Sequence, residues 1–115
     1  MKRDLHAVLN YEETPIRVGV IEGKEVFCLH DLLRAMSLTH VNVTNIMTRV
    51  PPDAYYRAST VDVGGHPCNS QAIAVTFEGA YLTLPRLNKT DLNDVMLLLR
   101  WMKTVKKSKM KKGAK

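Results

Sequence analysis

The stretch from Glu25 to Arg49, EVFCLHDLLRAMSLTHVNVTNIMTR, constrains this chain more than any other. It reads as a short strand that runs into one helix, turns tightly, and enters a second helix whose outer face carries no acid. Val26, Phe27, Cys28 and Leu29 form the unbroken apolar run of a buried strand. Asp31 stands where it can cap a helix that turns Leu32, Leu33 and Met36 inward. Ser37-Leu38-Thr39-His40 interrupts that helix. Val43, Ile46, Met47 and Val50 then recur at i, i+3, i+4 and i+7, the inward face of a helix over 41–49. Asn42, Thr44, Asn45, Thr48 and Arg49 are left outside, and Pro51-Pro52 ends the element. Two short helices, with small Ala35 among apolar neighbours of the first, make a helix-turn-helix-like unit of the kind that reads DNA. Every amphipathic helix has a polar outer face; what marks this one is its make-up. Two amides and an arginine suit adenine and guanine edges, whereas a carboxylate would repel phosphate.

Around this unit the chain offers enough for one compact domain and no more. It has 115 residues with 45% apolar content. No apolar run approaches the ~20 residues that span a bilayer. MKRDLHAVLNYEE lacks the apolar core and small-residue cleavage site of a signal peptide. Two cysteines, Cys28 and Cys68, are too few for a disulfide framework and fit a reducing compartment. The expectation is a soluble cytoplasmic protein.

Neither a repeat nor an internal linker interrupts the pattern. Ile16 to Ile21 alternates as a strand, and Glu22-Gly23-Lys24 turns it back into the Val26 to Leu29 strand as a hairpin. Tyr55 to Val63 is strand-like, Gly64-Gly65-His66-Pro67 is a turn, and Ala72 to Phe77 returns as a second apolar strand. Gly79 closes that strand and opens a short helical segment through Ala80, Tyr81, Leu82 and Leu84. Asn88-Lys89-Thr90-Asp91 starts a last helix, running from about Asp91 to about Val105. The fold class follows: a small single α+β domain, two β-hairpins packed with about four short helices.

The last helix is apolar over most of its circumference. Leu92, Val95, Met96, Leu99 and Met102 make one stripe; Leu97 and Trp101 lie nearly opposite, with Leu98 and Val105 between. Such a helix is either wrapped by its own domain or used in part to bind a partner. The binding alternative places Leu97, Trp101 and Val105 at a partner or homodimer interface.

The order of elements resembles a known family, the Bro-N domains. IRVGVIEGKEVFCLHDLLRAMSL is similar to their opening: strand, Gly turn, strand with a central Phe, and an Asp-started helix. VTFEGAYLTL resembles their strand ending in Glu-Gly-aromatic, and LLLRWMKTV their last helix with its Trp. The resemblance covers residues 14–106. It implies a DNA-binding domain of the kind found in phage antirepressors and large-DNA-virus proteins, with a Bro-N-like domain over 1–105. The sequence departs from the family at Val26, where an aromatic is usual, and at His30, where a Lys precedes the Asp. Leu38-Thr39 replaces a Gly-containing turn. Phage antirepressors of this type commonly carry a second, C-terminal domain. Here a lysine-rich tail follows, so the chain is expected to be either a minimal version or a fragment.

Charge supports a nucleic-acid reading in its distribution rather than its sum. The net charge of +6 conceals a division at Arg100: eight Lys/Arg and no acid lie from there onward, while residues 1–99 set nine basic residues against eleven acids. The 106–115 tail is expected to be disordered in isolation, and able to give a salt-sensitive grip on phosphate.

The candidate DNA contacts are therefore Asn42, Thr44, Asn45 and Arg49 for base edges or phosphate, and Arg34 and Arg57 for phosphate. Lys103, Lys106, Lys107, Lys109, Lys111 and Lys112 supply the non-specific grip. The function expected is a transcriptional regulator of phage antirepressor type acting on duplex DNA, as a homodimer. The alternative is a small viral protein that binds and inhibits a repressor or host protein through its apolar last helix.

Enzyme readings find no footing: no Gly-rich phosphate loop, no ordered Ser-His-acid set and no closely spaced carboxylate pair. Cys28-x-His30 and His66-x-Cys68 are mirror pairs, and residues two apart on a strand point the same way. Four such ligands could hold zinc, but structural zinc pairs usually have two to four residues between cysteines. No metal and no cofactor is expected, and His6 and His40 read as surface residues.

Overall fold

The computed structural model describes residues 4–38, 46, 48, 50–62, 64–87 and 91–105. Five strands form one antiparallel sheet: β1 (Leu5–Tyr11), β2 (Thr14–Ile21), β3 (Lys24–Cys28), β4 (Tyr55–Val61) and β5 (Pro67–Thr76), in the order β1-β2-β3-β5-β4. Three helices accompany it, α1 (Leu29–Ala35), α2 (Phe77–Thr83) and α3 (Leu92–Thr104). The α+β class and both anticipated hairpins are present. Two details differ. The described residues contain three α-helices rather than about four, since the expected 41–49 helix lies largely outside them. An N-terminal strand, β1, adds to β2 and was not anticipated.

Tight turns set the register. β2 and β3 join through Glu22-Gly23, both at positive φ (54° and 79°), the two-residue geometry that matches the right-handed twist of a hairpin. The two edge strands do not stay apart, because Asp4, just before β1, bridges Ser59 of β4, curling the sheet towards an incomplete barrel. Gly19 makes this approach possible: a Cβ there would collide with the Asp4 carbonyl oxygen. The sheet thus buries both faces. Leu5, Ile21, Val26, Cys28, Tyr56, Ala58 and Ala74 fill one side, with small residues where the curl is tight. Ile16, Val18, Phe27, Ile73 and Val75 meet the helices on the other.

Each helix end has a physical cause. α1 was expected to be capped by Asp31, but it starts two residues earlier, at Leu29, and its N-cap Cys28 makes no side-chain cap bond. Asp31 is instead a buried acceptor, described below. α1 stops in a Schellman arrangement: Leu38 N donates to Leu33 O (2.8 Å) and Ser37 N to Arg34 O (3.0 Å), with Ser37 at φ 61°. Leu38 then drops into the core beside Leu33. The left-handed turn is made by a serine.

α2 begins at Phe77, earlier than the break expected at Gly79, because Thr76 caps it. The Thr76 hydroxyl accepts from Gly79 N (3.1 Å) and donates to Ala54 O (3.4 Å). Gly79 is a packing glycine, since a Cβ there would stand 2.7 Å from the Ala54 carbonyl oxygen. α3 runs as expected from its Asp91 cap, whose carboxylate accepts from Asn93 N (2.8 Å). Its buried residues are Val95, Leu98, Leu99 and Met102.

Candidate functional site

A polar knot ties α1 to the sheet. The Asp31 side chain is 0% exposed, that of Arg17 16% and that of Arg34 45%. Asp31 Oδ2 accepts from the Arg17 backbone N (2.8 Å) and Nε (2.9 Å), and Oδ1 from Arg17 Nη2 (3.1 Å) and Arg34 Nη1 (2.9 Å). Arg17 also donates Nη1 to Val61 O (3.2 Å) and Thr60 Oγ1 (3.4 Å), and lies 3.6 Å from Cys28 Sγ. One guanidinium thereby links β2, β3, α1 and the end of β4. Burial pushes the Asp31 carboxyl up, but the hydrogen bonds and charge of Arg17, helped by Arg34, outweigh it and hold the group below the usual carboxylate range. The Arg17 guanidinium is held more firmly protonated by its bond to Asp31. Burial, and then the charge of Asp31, pushes the Cys28 thiol up. Buried charges paired this completely form a structural clamp.

The clamp sits at the root of the candidate reading unit. Arg34, in the last turn of α1, is half-exposed with its guanidinium anchored through Asp31. Directly after Leu38, the last residue of the Schellman turn, the continuous described stretch ends, and Asn42, Thr44, Asn45 and Arg49 lie outside the described residues. Three neighbours of theirs are described. Ile46 and Val50 are buried in the same core as Leu32, Leu33 and Leu38, and Thr48 is exposed. Two of the four positions assigned to the inward face are therefore inward.

The other expected contacts scatter. Arg57 is exposed on edge strand β4. Lys103 is exposed on α3, its Nζ 5.3 Å from the Phe77 ring centroid. Lys106, Lys107, Lys109, Lys111 and Lys112 lie outside the described residues.

α3 divides its apolar residues differently from the sequence expectation. Trp101 packs inward, edge-on to Tyr11 (centroids 5.4 Å) and Phe27 (6.1 Å), and Val105 is buried. Leu97, Trp101 and Val105 therefore do not share one open surface, because the sheet has claimed two of them. The large apolar residues left exposed are Leu92 (60%), Met96 (55%) and Leu97 (50%) on α3, with Tyr81 (56%) on α2. In the sequence Leu92 and Met96 belong to the apolar stripe of the last helix and Tyr81 to the short helical segment, and none of the three is assigned to the interface. For Tyr81 the signal was its place in a short helix packed on a longer one.

Between α2 and α3 runs an open groove of about 210 Å³, lined by Phe77, Tyr81, Met96, Leu99, Arg100 and Lys103. The Phe77 and Tyr81 rings stack along it, 6.0 Å apart and 24° from parallel. The candidate zinc ligands do not behave as a strand set: Cys28 ends β3 beside Arg17, while His30 has passed into α1 and is exposed. No helix among the described residues is long and apolar enough to cross a membrane. What these elements define is a small α+β domain with a curled five-stranded antiparallel sheet and helices packed on its outer face. Comparison with protein-family models, with curated proteins and with solved structures finds no match to this chain.

Proposed function

We propose that this protein is a DNA-binding regulatory module of the phage antirepressor type, reading duplex DNA with the 41–49 segment. One observation carries the reading: Ile46 and Val50 sink into the α1 core while Thr48 faces solvent. That is the orientation an amphipathic reading helix needs if its amides and arginine are to reach base edges. Arg34, anchored by Asp31 in the last turn of α1, is the phosphate contact whose side-chain entropy is already spent. Lys106, Lys107, Lys109, Lys111 and Lys112 add the sequence-independent grip.

Selection of duplex DNA from a random pool, followed by anisotropy titration of the enriched site, tests it. Arg49→Ala is expected to weaken the enriched site by about 1–3 kcal/mol if it reads guanine. Removing residues 106–115 flattens the salt dependence and leaves the preference intact. A full chain that ignores duplex DNA at low salt ends the reading.

The exposed Leu92, Met96 and Tyr81 favour a second activity, protein binding through the α2–α3 side.

A further inference from the structure

We propose that the groove between α2 and α3 docks a short segment of a partner protein in which a bulky apolar side chain stands next to a carboxylate. The inference rests on the protein-binding reading and is independent of DNA recognition. Its first support is chemical. Phe77, Tyr81, Met96 and Leu99 supply an apolar floor and walls, and the two remaining lining residues, Arg100 and Lys103, are both cations. No acid lines it. Leu92, one turn before Met96 on the same helix flank, extends the apolar strip, so an incoming segment finds hydrophobic surface leading to positive charge.

The positive end is pre-positioned. Lys103 Nζ stands over the Phe77 ring, and Phe77 stacks with Tyr81, so the ammonium is held at the groove rather than waving free. The large apolar side chains exposed in the groove are a rigid aromatic, Tyr81, and a methionine, Met96, residue types that suit a recognition surface.

Size and symmetry argue against a second copy as the occupant. A standard interface removes about 800 Å² from each partner, whereas a groove of about 210 Å³ accepts one or two side chains. A two-fold interface centred here would also bring each patch onto itself. Arg100 and Lys103 would then meet their own copies with no lining acid to compensate. Duplex DNA would use the two cations but leave Met96 and Tyr81 without a role.

The test uses the full chain and a displayed library of random short peptides. Enriched peptides are then measured by fluorescence anisotropy, each beside a version with Asp or Glu changed to the amide. Binding is expected to converge on a large apolar residue flanked by an acid, and the amide version is expected to bind at least about tenfold more weakly. Met96→Ser, exposed and so harmless to folding, removes binding by a similar factor. Arg100→Glu loses the acidic peptides and selects basic ones. Leu97→Ser, exposed on the other flank of α3, leaves binding unchanged. The proposal is overturned if no peptide is enriched, if the amide peptides bind as well, or if Leu97→Ser costs as much as Met96→Ser. It is also overturned if the wild type sediments as a dimer that Met96→Ser dissociates, since the groove would then hold a second copy. Duplex DNA binding by Met96→Ser is followed alongside; its absence in every variant sinks the regulatory reading and leaves the groove standing.

Discussion

Asp31→Asn is the sharpest test of the clamp, because it changes one oxygen to an amide nitrogen without changing shape. In the wild type each carboxylate oxygen accepts two donors: the Arg17 N and Nε on one side, Arg17 Nη2 and Arg34 Nη1 on the other. An asparagine presents an acceptor to only one of those sides. Whichever way the amide turns, its NH₂ group faces two N–H donors. The cheaper choice gives up the Nη2 and Arg34 side, since the half-exposed Arg34 can turn to water. That still removes a charge-assisted bond worth about 1.5–3 kcal/mol. It also leaves the Arg17 guanidinium, whose side chain is 16% exposed, without its counter-charge. Breaking a buried pair from one side costs about 3–5 kcal/mol in all, a large share of the roughly 5–15 kcal/mol that holds a domain together.

Urea unfolding followed by Trp101 fluorescence measures the loss, since that indole packs on Tyr11 and Phe27 and reports on the sheet–helix interface. Adding Arg17→Met to Asp31→Asn is expected to cost less than Arg17→Met alone, the signature of a coupled pair. The pH dependence gives an independent sign. Burial raises the Asp31 pKa, but the hydrogen bonds and charge of Arg17 with the charge of Arg34 lower it by more, for a net depression. A depressed folded-state value means that the contribution is whole above the unfolded carboxylate value of about 3.9 and is lost as pH falls through the folded value. The gap between wild type and Asp31→Asn is therefore full at neutral pH and narrows only in acid. A loss below about 1 kcal/mol, the scale of an exposed ion pair, or a gap that closes on the alkaline side, would refute the reasoning.

Three further substitutions and one labelling experiment probe the rest. Ser37→Gly is expected to stabilise by about 1 kcal/mol, because Ser37 holds φ 61° at the Schellman position that glycine occupies without strain; urea midpoints decide. Gly79→Ala should destabilise by about 1–3 kcal/mol, since its Cβ would press on the Ala54 carbonyl 2.7 Å away and backbone has to move; an unchanged midpoint would show that the α2 contact is looser than it looks. Trp101→Ala should cost about 2–4 kcal/mol, less than for a wholly buried tryptophan, and lower stability at every protein concentration. A concentration-dependent loss would instead return Trp101 to a subunit seam. Under native conditions a maleimide should label Cys68, which is part-exposed, and reach Cys28 only as the domain opens, because that thiol is buried and raised in pKa.

Local periodicity made much of the fold legible. The alternation of Ile16 to Ile21 and the run from Val26 to Cys28 are β2 and β3, and the stripe Val95, Leu99, Met102 is the buried side of α3. What escaped were pairings across distance. Asp31 looks like a helix cap in sequence, yet its partner Arg17 is 14 residues upstream on another element, and capping logic contains no signal for that. β1 escaped because its burial does not alternate cleanly: the register shifts between Leu5 and Ala7, moving the strand from one buried side of the sheet to the other. For Trp101 the sequence leaves both a covered position and an interface open, because the helical wheel of α3 gives its angle and says nothing of Tyr11, which reaches it from the unanticipated strand. The polar residues 42, 44, 45 and 49 of the candidate reading helix lie outside the described residues.

The glycine missing from the α1 turn and the glycine kept in α2 illustrate the same physical distinction. At Ser37 the requirement is torsional: a left-handed residue is needed, and a short polar side chain meets it at modest cost at an exposed position. At Gly79 the requirement is volumetric, since the Ala54 backbone and the Val50 side chain press on the helix and even one methyl has no room. That contact fixes where the Pro52–Ala54 turn, and with it buried Val50, meets α2. On its other flank the same helix stacks Phe77 and Tyr81 along the groove. α2 thus touches both Val50, the residue that follows the candidate DNA-reading segment, and the groove it forms with α3, and it is seven residues long. A helix so short has little stability of its own. Its position is set by the Thr76 hydroxyl, which caps it and bonds Ala54 O, and by the fit of Gly79 under Ala54, while the Thr83 hydroxyl donates within the helix to Gly79 O at 2.8 Å.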